Sequence, residues 1–234
     1  MSAPPLVFMP GFDGAGSLRQ PFVDALAAHH DVRAIDYPPR CLGSLDGYRE
    51  HAMASIPVDW RPVLVAESFS GLVAARWAEV DPRVRGVVLC GAFARNPVGW
   101  AARAGAMMPS LVKLGPALWH PVVKAGRDPV RARWSDGFVA AMGALPADVI
   151  AERLRLIAAT DTVATLQGLQ VPVVLVQFEG DQVIGRLARD HLQSVCHNAH
   201  VLHLPGPHFA IEVRPQECAA AIGARIRELF PTGP

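Results

Sequence analysis

Six short apolar runs recur along the chain, and none of them alternates cleanly between apolar and polar residues. They are PLVFM (5–9), DVRAIDY (31–37), PVLVAE (62–67), VRGVVLCG (84–91), PVVLVQF (172–178) and HVLHL (200–204). A strand that reads apolar on both faces must be covered on both faces, as parallel strands are. Helical patterns lie between the runs at 17–29, 45–55, 70–80, 183–194 and 214–229. The last of these has Pro215 in its first turn, where a missing N–H costs nothing. Strand and helix in alternation predict a doubly wound α/β sheet, mostly parallel, with six strands flanked by helices.

The rhythm breaks once. No strand pattern occurs between about 97 and 170, which predicts a helical cap (97–170) inserted between the strands near 84–91 and 172–178. The core would then comprise 1–96 and 171–234. Met107, Met108, Leu111, Leu114, Leu118 and Trp119 make this insertion apolar enough to pack on something. Most of them are expected in its own core. Met107, Met108, Leu111, Trp119 and His120 are the candidates for lining a substrate pocket.

Composition narrows the function classes. Hydrophobic residues make up 51% and charged residues 18%, which is globular, and a net charge of +1 provides no field for nucleic acid. Cys41, Cys90, Cys196 and Cys218 are widely spaced, so reduced structural thiols are expected in place of a metal site or disulfide frame. The opening MSAPPLVFMPGF has no basic region ahead of its short apolar run, and no long uncharged apolar stretch occurs. The expectation is a cytoplasmic protein with no membrane span.

Chemistry enters at VLVAESFSGLVAARWAE (63–79), where small residues join a strand to a helix. A serine on a sharp strand–turn–helix corner needs small neighbours two positions away on either side. Ser68 has Ala66 and Ser70 there, whereas Ser70 would have the bulky Leu72, so Ser68 is the candidate nucleophile. A hydroxyl needs a base, and the base needs a carboxylate to hold it. His208 lies in the loop GPH after the sixth run. The loop EGDQVI after the fifth run holds Glu179 and Asp181, and Asp181, directly before the next helix, is preferred as the acid. Asp161 is a third, weaker choice. Of the other histidines, His29, His30, His51, His191, His197 and His200 are expected to be solvated and His203 to be structural. Two backbone N–H groups should receive the developing oxyanion, from Phe69 and from Phe12 in the loop MPGFDGAGS. The same loop lacks the Lys-Ser/Thr pair of a phosphate-binding loop, so a nucleotide site is set aside.

Three motifs carry a resemblance: Pro10-Gly11-Phe12-Asp13-Gly14-Ala15-Gly16, Glu67-Ser68-Phe69-Ser70-Gly71 and Gly206-Pro207-His208. With them the chain resembles the α/β-hydrolase superfamily over nearly its whole length, and small bacterial serine hydrolases most closely. It departs in using Ala66 and Ser70 where the elbow usually has glycines, and Pro10-Gly11 where most relatives have His-Gly. The first two strands of the superfamily are absent, which leaves six. The resemblance implies hydrolysis of a carboxylic ester through an acyl-enzyme, without metal or organic cofactor. The basic run Lys113, Lys124, Arg127, Arg131 and Arg133 is a candidate docking surface for an acyl carrier protein presenting an ester such as pimeloyl methyl ester. Acyltransferase or thioesterase activity on the same residues, or an inactive binding protein, are the alternatives.

Overall fold

The computed structural model describes residues 3–112 and 129–231, with the backbone alone for 129–134. Its six strands are β1 (Leu6–Met9), β2 (Val32–Ala34), β3 (Val63–Glu67), β4 (Gly86–Cys90), β5 (Val173–Phe178) and β6 (His200–Leu204). They form one sheet in the order β2-β1-β3-β4-β5-β6, and every neighbouring pair is parallel. The expected six-stranded parallel sheet is therefore present.

The reason for the continuous apolar runs is visible in the two cores. Val7, Met9, Leu64, Ala66, Val87, Leu89, Val173 and Leu175 point to one face. Leu6, Phe8, Val63, Val65, Val88, Cys90, Val174 and Val176 point to the other. The first face is covered by α2 (Leu45–Ala54), α3 (Ser70–Val80), α7 (Val163–Gly168) and α8 (Arg186–Val195), the second by α1 (Gln20–Ala27) and α10 (Pro215–Leu229). Each fully buried Val, Leu or Phe contributes about 1.5–3 kcal/mol of burial free energy, so two full layers on a four-strand centre anchor the sheet. Trp77 is the largest side chain buried here, and its indole N–H is satisfied by Asp81 Oδ2 at 3.0 Å.

Between β4 and β5 the regular elements among the described residues are helices, α4 (Trp100–Met107), α5 (Pro129–Ala144), α6 (Ala147–Ala159) and α7, with one isolated antiparallel bridge between Arg95 and Asp161. Met142, Leu145, Val149 and Ile150 form a small separate core there, with Phe12 packed against it. Leu166 of α7 instead joins the core beneath the sheet.

Several local expectations need correction. The strand expected at 31–37 spans only Val32–Ala34, because beyond Ile35 the chain pairs with the loop after β1, through an antiparallel bridge of Asp36 with Ala15 and the Tyr37 amide on Gly14 O. The helix expected from 17 begins as a 3-10 turn at Gly16–Arg19, and the α-helix starts at Gln20 with Pro21 in its first turn. The helix expected from 183 starts at Arg186, since the Asp181 carboxylate captures the Val183 and Ile184 amides. A short helix, α9 (Ala210–Val213), was not anticipated. His30, expected to be solvated, is buried with Nδ1 3.2 Å from the Pro4 carbonyl oxygen. Burial pulls its pKa below the ordinary value. His203, expected to be structural, is exposed because β6 is an edge strand.

The sheet reverses its winding between β1 and β3. The chain leaves β1 toward β2 on one side and β3 toward β4 on the other, which opens a crevice at the carboxyl ends of those strands. The loop 10–15 and the turn at Ser68 both lie at that crevice.

Candidate active site

Ser68 immediately follows β3 and has φ +49°, the only positive value for a non-glycine among the described residues. Such a conformation costs about 1–3 kcal/mol and persists only where its surroundings enforce it. Here the Ser68 amide donates to Cys90 O at 2.9 Å, and Ser68 O accepts from the Gly71 amide at 2.9 Å. A side chain on Gly71 would place its Cβ 2.7 Å from that of Ala92, so glycine is required for helix α3 to approach β4.

From Ser68 a hydrogen-bonded chain runs through two further loops. Ser68 Oγ is 3.1 Å from His208 Nε2, and His208 Nδ1 is 2.9 Å from Asp181 Oδ2. All three residues are nearly buried. The second Asp181 oxygen accepts from the amides of Val183 at 2.9 Å and Ile184 at 2.8 Å, which fixes the carboxylate plane. The glycines flanking these loops are steric requirements: a Cβ on Gly91 would stand 3.2 Å from His208 Nδ1, and one on Gly180 2.9 Å from Gly206 O. The ring of Phe209 packs edge-on against His208. Glu179 is exposed, and Asp161 is an exposed partner of Arg95 at 2.8 Å, so neither reaches His208.

The second serine of the elbow has a different task. Ser70 is fully buried; its hydroxyl donates to the Pro10 carbonyl and lies 2.9 Å from the Tyr37 hydroxyl. It ties the elbow helix to the loop after β1. Further bonds brace the same loop. The Gly11 amide donates to Glu67 Oε2 at 3.3 Å, Gly14 N to Gly11 O at 3.1 Å, and Tyr37 N to Gly14 O at 2.8 Å. The amides of Phe12 and Phe69 donate to no other described residue.

A buried charge cluster lies directly behind these loops. The guanidinium of Arg19, 1% exposed, meets Glu67 through Nε at 2.8 Å and Nη2 at 3.0 Å. Its Nη1 donates to Asp13 Oδ1 at 2.7 Å and Ala15 O at 3.2 Å. Glu212 Oε1 approaches Nη2 at 2.7 Å but without hydrogen-bond alignment. One residue thus joins the loop after β1, the residue before Ser68 and the helix after His208. Burial alone would lower the Arg19 pKa, but the carboxylates, Glu67 foremost, hold it well above the ordinary value. Burial, reinforced by the Glu67 charge, pushes the Glu212 carboxyl well up. Sequence reading missed this cluster. A charged Glu67 at the end of a strand buried on both faces was the available signal, since buried charges need partners.

Few of the pocket and docking candidates fall on fully described residues. Met107, Met108 and Leu111 are 83%, 53% and 57% exposed. Trp119, His120, Lys113, Lys124 and Arg127 lie outside the described residues. Arg131 and Arg133 fall at the start of α5, in the part where only the backbone is described. Among the described residues no helix is long and apolar enough to cross a membrane. All four cysteines are free, with Cys41 exposed and the other three buried.

An all-parallel sheet with a serine on a strained turn after its central strand, and a histidine and a carboxylate in later loops, defines a recognisable architecture. The alpha/beta hydrolase family model matches residues 6–221, and the chain belongs to that family. It is 26% identical over 213 residues to maspardin from Pongo abelii, covering 86% of this chain and 67% of maspardin. Among solved structures it is similar to an enol-lactonase from Burkholderia xenovorans LB400 (TM-score 0.77, 20% identity, 99% of this chain and 93% of that one). An esterase from Rhodococcus sp. ECU1013 superimposes with TM-score 0.78 at 19% identity, over 97% of this chain and 91% of that one.

Proposed function

We propose that the protein is a serine hydrolase that cleaves carboxylic esters through an acyl-enzyme. The observation that carries this reading is the continuous chain from Ser68 Oγ to His208 and on to Asp181, 3.1 and 2.9 Å per link. In the first step Ser68 Oγ attacks the ester carbonyl carbon while His208 Nε2 takes its proton. Asp181 holds the Nδ1 proton and stabilises the imidazolium that results. The Phe12 and Phe69 amides receive the tetrahedral oxyanion, Phe69 from the start of α3, where the helix N-terminus favours negative charge. The imidazolium then returns its proton to the departing alcohol. Water, deprotonated by the same histidine, releases the acid. Every proton in the cycle is carried by His208, so the reaction as proposed requires no cofactor.

The enol-lactonase and the Rhodococcus esterase, similar in fold, are by their names both enzymes of ester bonds, which agrees with this class. The finer substrate reading is an acyl ester borne by an acidic carrier protein that docks on the basic run from Lys113 to Arg133. Reversing those charges should raise KM for a carrier-bound methyl ester while leaving a small ester unaffected.

The test of the class is pre-steady-state hydrolysis of p-nitrophenyl esters from acetate to octanoate. The proposal expects a burst of p-nitrophenol stoichiometric with enzyme wherever deacylation is the slower step, and turnover that tracks acyl length. Absence of turnover on every ester and thioester would reject it in favour of a binding protein.

A further inference from the structure

Arg153 is a cap residue whose placement the mechanism above does not use. It sits on α6 within the helical insertion, and its side chain is 0% exposed. Its Nη1 donates to the carbonyl oxygen of Phe12 at 2.5 Å, and its Nε to the Tyr48 hydroxyl at 3.1 Å. The guanidinium carbon lies 5.7 Å from the Tyr37 ring centroid and 5.5 Å from that of Tyr48. The preceding residue, Glu152, accepts from the Leu42 and Gly43 amides at 2.9 and 2.8 Å and from the Tyr48 hydroxyl at 3.1 Å. Two consecutive residues of one helix therefore lock the insertion onto the core.

The cost of this arrangement argues against a purely structural origin. Arg153 Nη2 is buried with no hydrogen-bond partner among the described residues, and an unsatisfied donor of this kind costs about 1–3 kcal/mol. An apolar side chain of similar volume would avoid that penalty. What it could not do is hold the Phe12 carbonyl oxygen, and through it the backbone of that residue. The other braces on this loop come from the sheet side: Ser70 on Pro10 O, Glu67 on Gly11 N, Arg19 on Asp13 and Tyr37 N on Gly14 O. From the insertion, Phe12 is packed by the Met142–Ile150 cluster, and among the described residues Arg153 supplies the hydrogen bond to this loop, at the residue whose N–H is the proposed oxyanion donor. Gly14 fits this account. It has φ +78°, and a Cβ there would lie 2.6 Å from Arg153 Nη1, so the glycine leaves the guanidinium room to reach Phe12 O.

We propose that Arg153 is a positioning residue through which the helical insertion sets the Phe12 N–H of the oxyanion hole. A displacement of α6 is then transmitted to the donor. The inference rests on the hydrolase reading above. Donor geometry matters at the sub-ångström level: removal of one oxyanion donor costs about 10²–10³ in rate, and a misplacement of about 1 Å costs about 10².

The test compares Arg153→Met and Arg153→Lys with the wild type in three readouts. These are kcat and KM on a p-nitrophenyl ester, the inhibition constant of an alkylboronic acid that mimics the tetrahedral adduct, and the unfolding transition in urea. Wild-type turnover is the control, because its absence would reject the hydrolase reading and leave this inference without a reaction to position. With an active wild type, Arg153→Met should lose about 10- to 100-fold in kcat with KM within about threefold. The boronic acid should weaken in step with kcat/KM, and Arg153→Lys, which keeps a cationic donor, should recover part of the loss. A folded Arg153→Met with wild-type kcat, or with a change in KM alone, overturns the proposal. If Arg153→Met does not fold, Arg153→Lys is judged by the same criteria. Failure of both to fold assigns Arg153 to the fold alone and also overturns it.

Discussion

Replacing Asp181 by asparagine tests the proposed chemistry with little disturbance of the fold. One carboxylate oxygen accepts from the Val183 and Ile184 amides, and the other faces His208 Nδ1 at 2.9 Å. An asparagine must keep its carbonyl oxygen toward the two amides, because turning the NH₂ that way would set donor against donor. Its NH₂ then faces Nδ1, which becomes an acceptor and leaves the imidazole proton on Nε2. A protonated Nε2 cannot take the proton of Ser68. The equivalent exchange in a serine protease triad lowers kcat by about 10⁴, equivalent to about 5.5 kcal/mol of transition-state stabilisation. We expect a loss of that order in kcat near neutral pH. Unfolding free energy should change by no more than about 1 kcal/mol, since both amide bonds survive. Asp181→Ala, by contrast, should also destabilise, because it strands the buried Ile184 N–H at about 1–3 kcal/mol and loosens the half-exposed Val183 turn. The assay is steady-state ester hydrolysis alongside urea unfolding of both variants. An Asp181→Asn protein active within tenfold of wild type would refute the tautomer argument and the role assigned to Asp181.

Two further perturbations probe the braces behind the site. The Glu212 carboxyl is raised well above its ordinary 4.5 by burial and by the Glu67 charge, so above that pH the unfolded chain releases a proton that the folded chain keeps. Wild-type stability should therefore fall as pH rises from there toward the folded pKa. Glu212→Gln should remove that slope and gain on the wild type in urea titrations as pH rises above the ordinary carboxyl range, whereas parallel curves would contradict it. Gly14→Ala imposes a left-handed backbone on a Cβ, about 1–2 kcal/mol, and crowds Arg153, a further about 1–3 kcal/mol. A substitution there that is neutral in urea unfolding would remove the steric account of the loop.

Residues at strand ends were legible in the sequence because local pattern announces them. Ser68 stands between an apolar run and a helix, Asp181 and His208 stand in loops after the fifth and sixth runs, and the expected three loops do meet at one edge of the sheet. The parallel sheet was readable for the same reason, since short β-branched runs such as VVLVQF, bounded by Pro and Gly and alternating with helical patterns, fit strands covered on both faces. The braces were not readable, because they depend on distant pairings that leave no local mark. Arg19 is 48 residues from Glu67 and Arg153 is 105 from Tyr48. An arginine on a helix looks like a solvated residue until its partners are placed. The burial of His30 and the exposure of His203 escaped for a related reason: both depend on where their elements sit in the sheet and on what covers them.

The most direct measurement of the central claim is covalent labelling with a fluorophosphonate, read by intact mass and by sequencing the modified peptide. The account predicts a single adduct per chain, on Ser68, formed slowly or not at all in His208→Ala and absent from Ser68→Ala. A folded wild-type protein that takes no adduct, or takes it on Ser70 or any other residue, would contradict it.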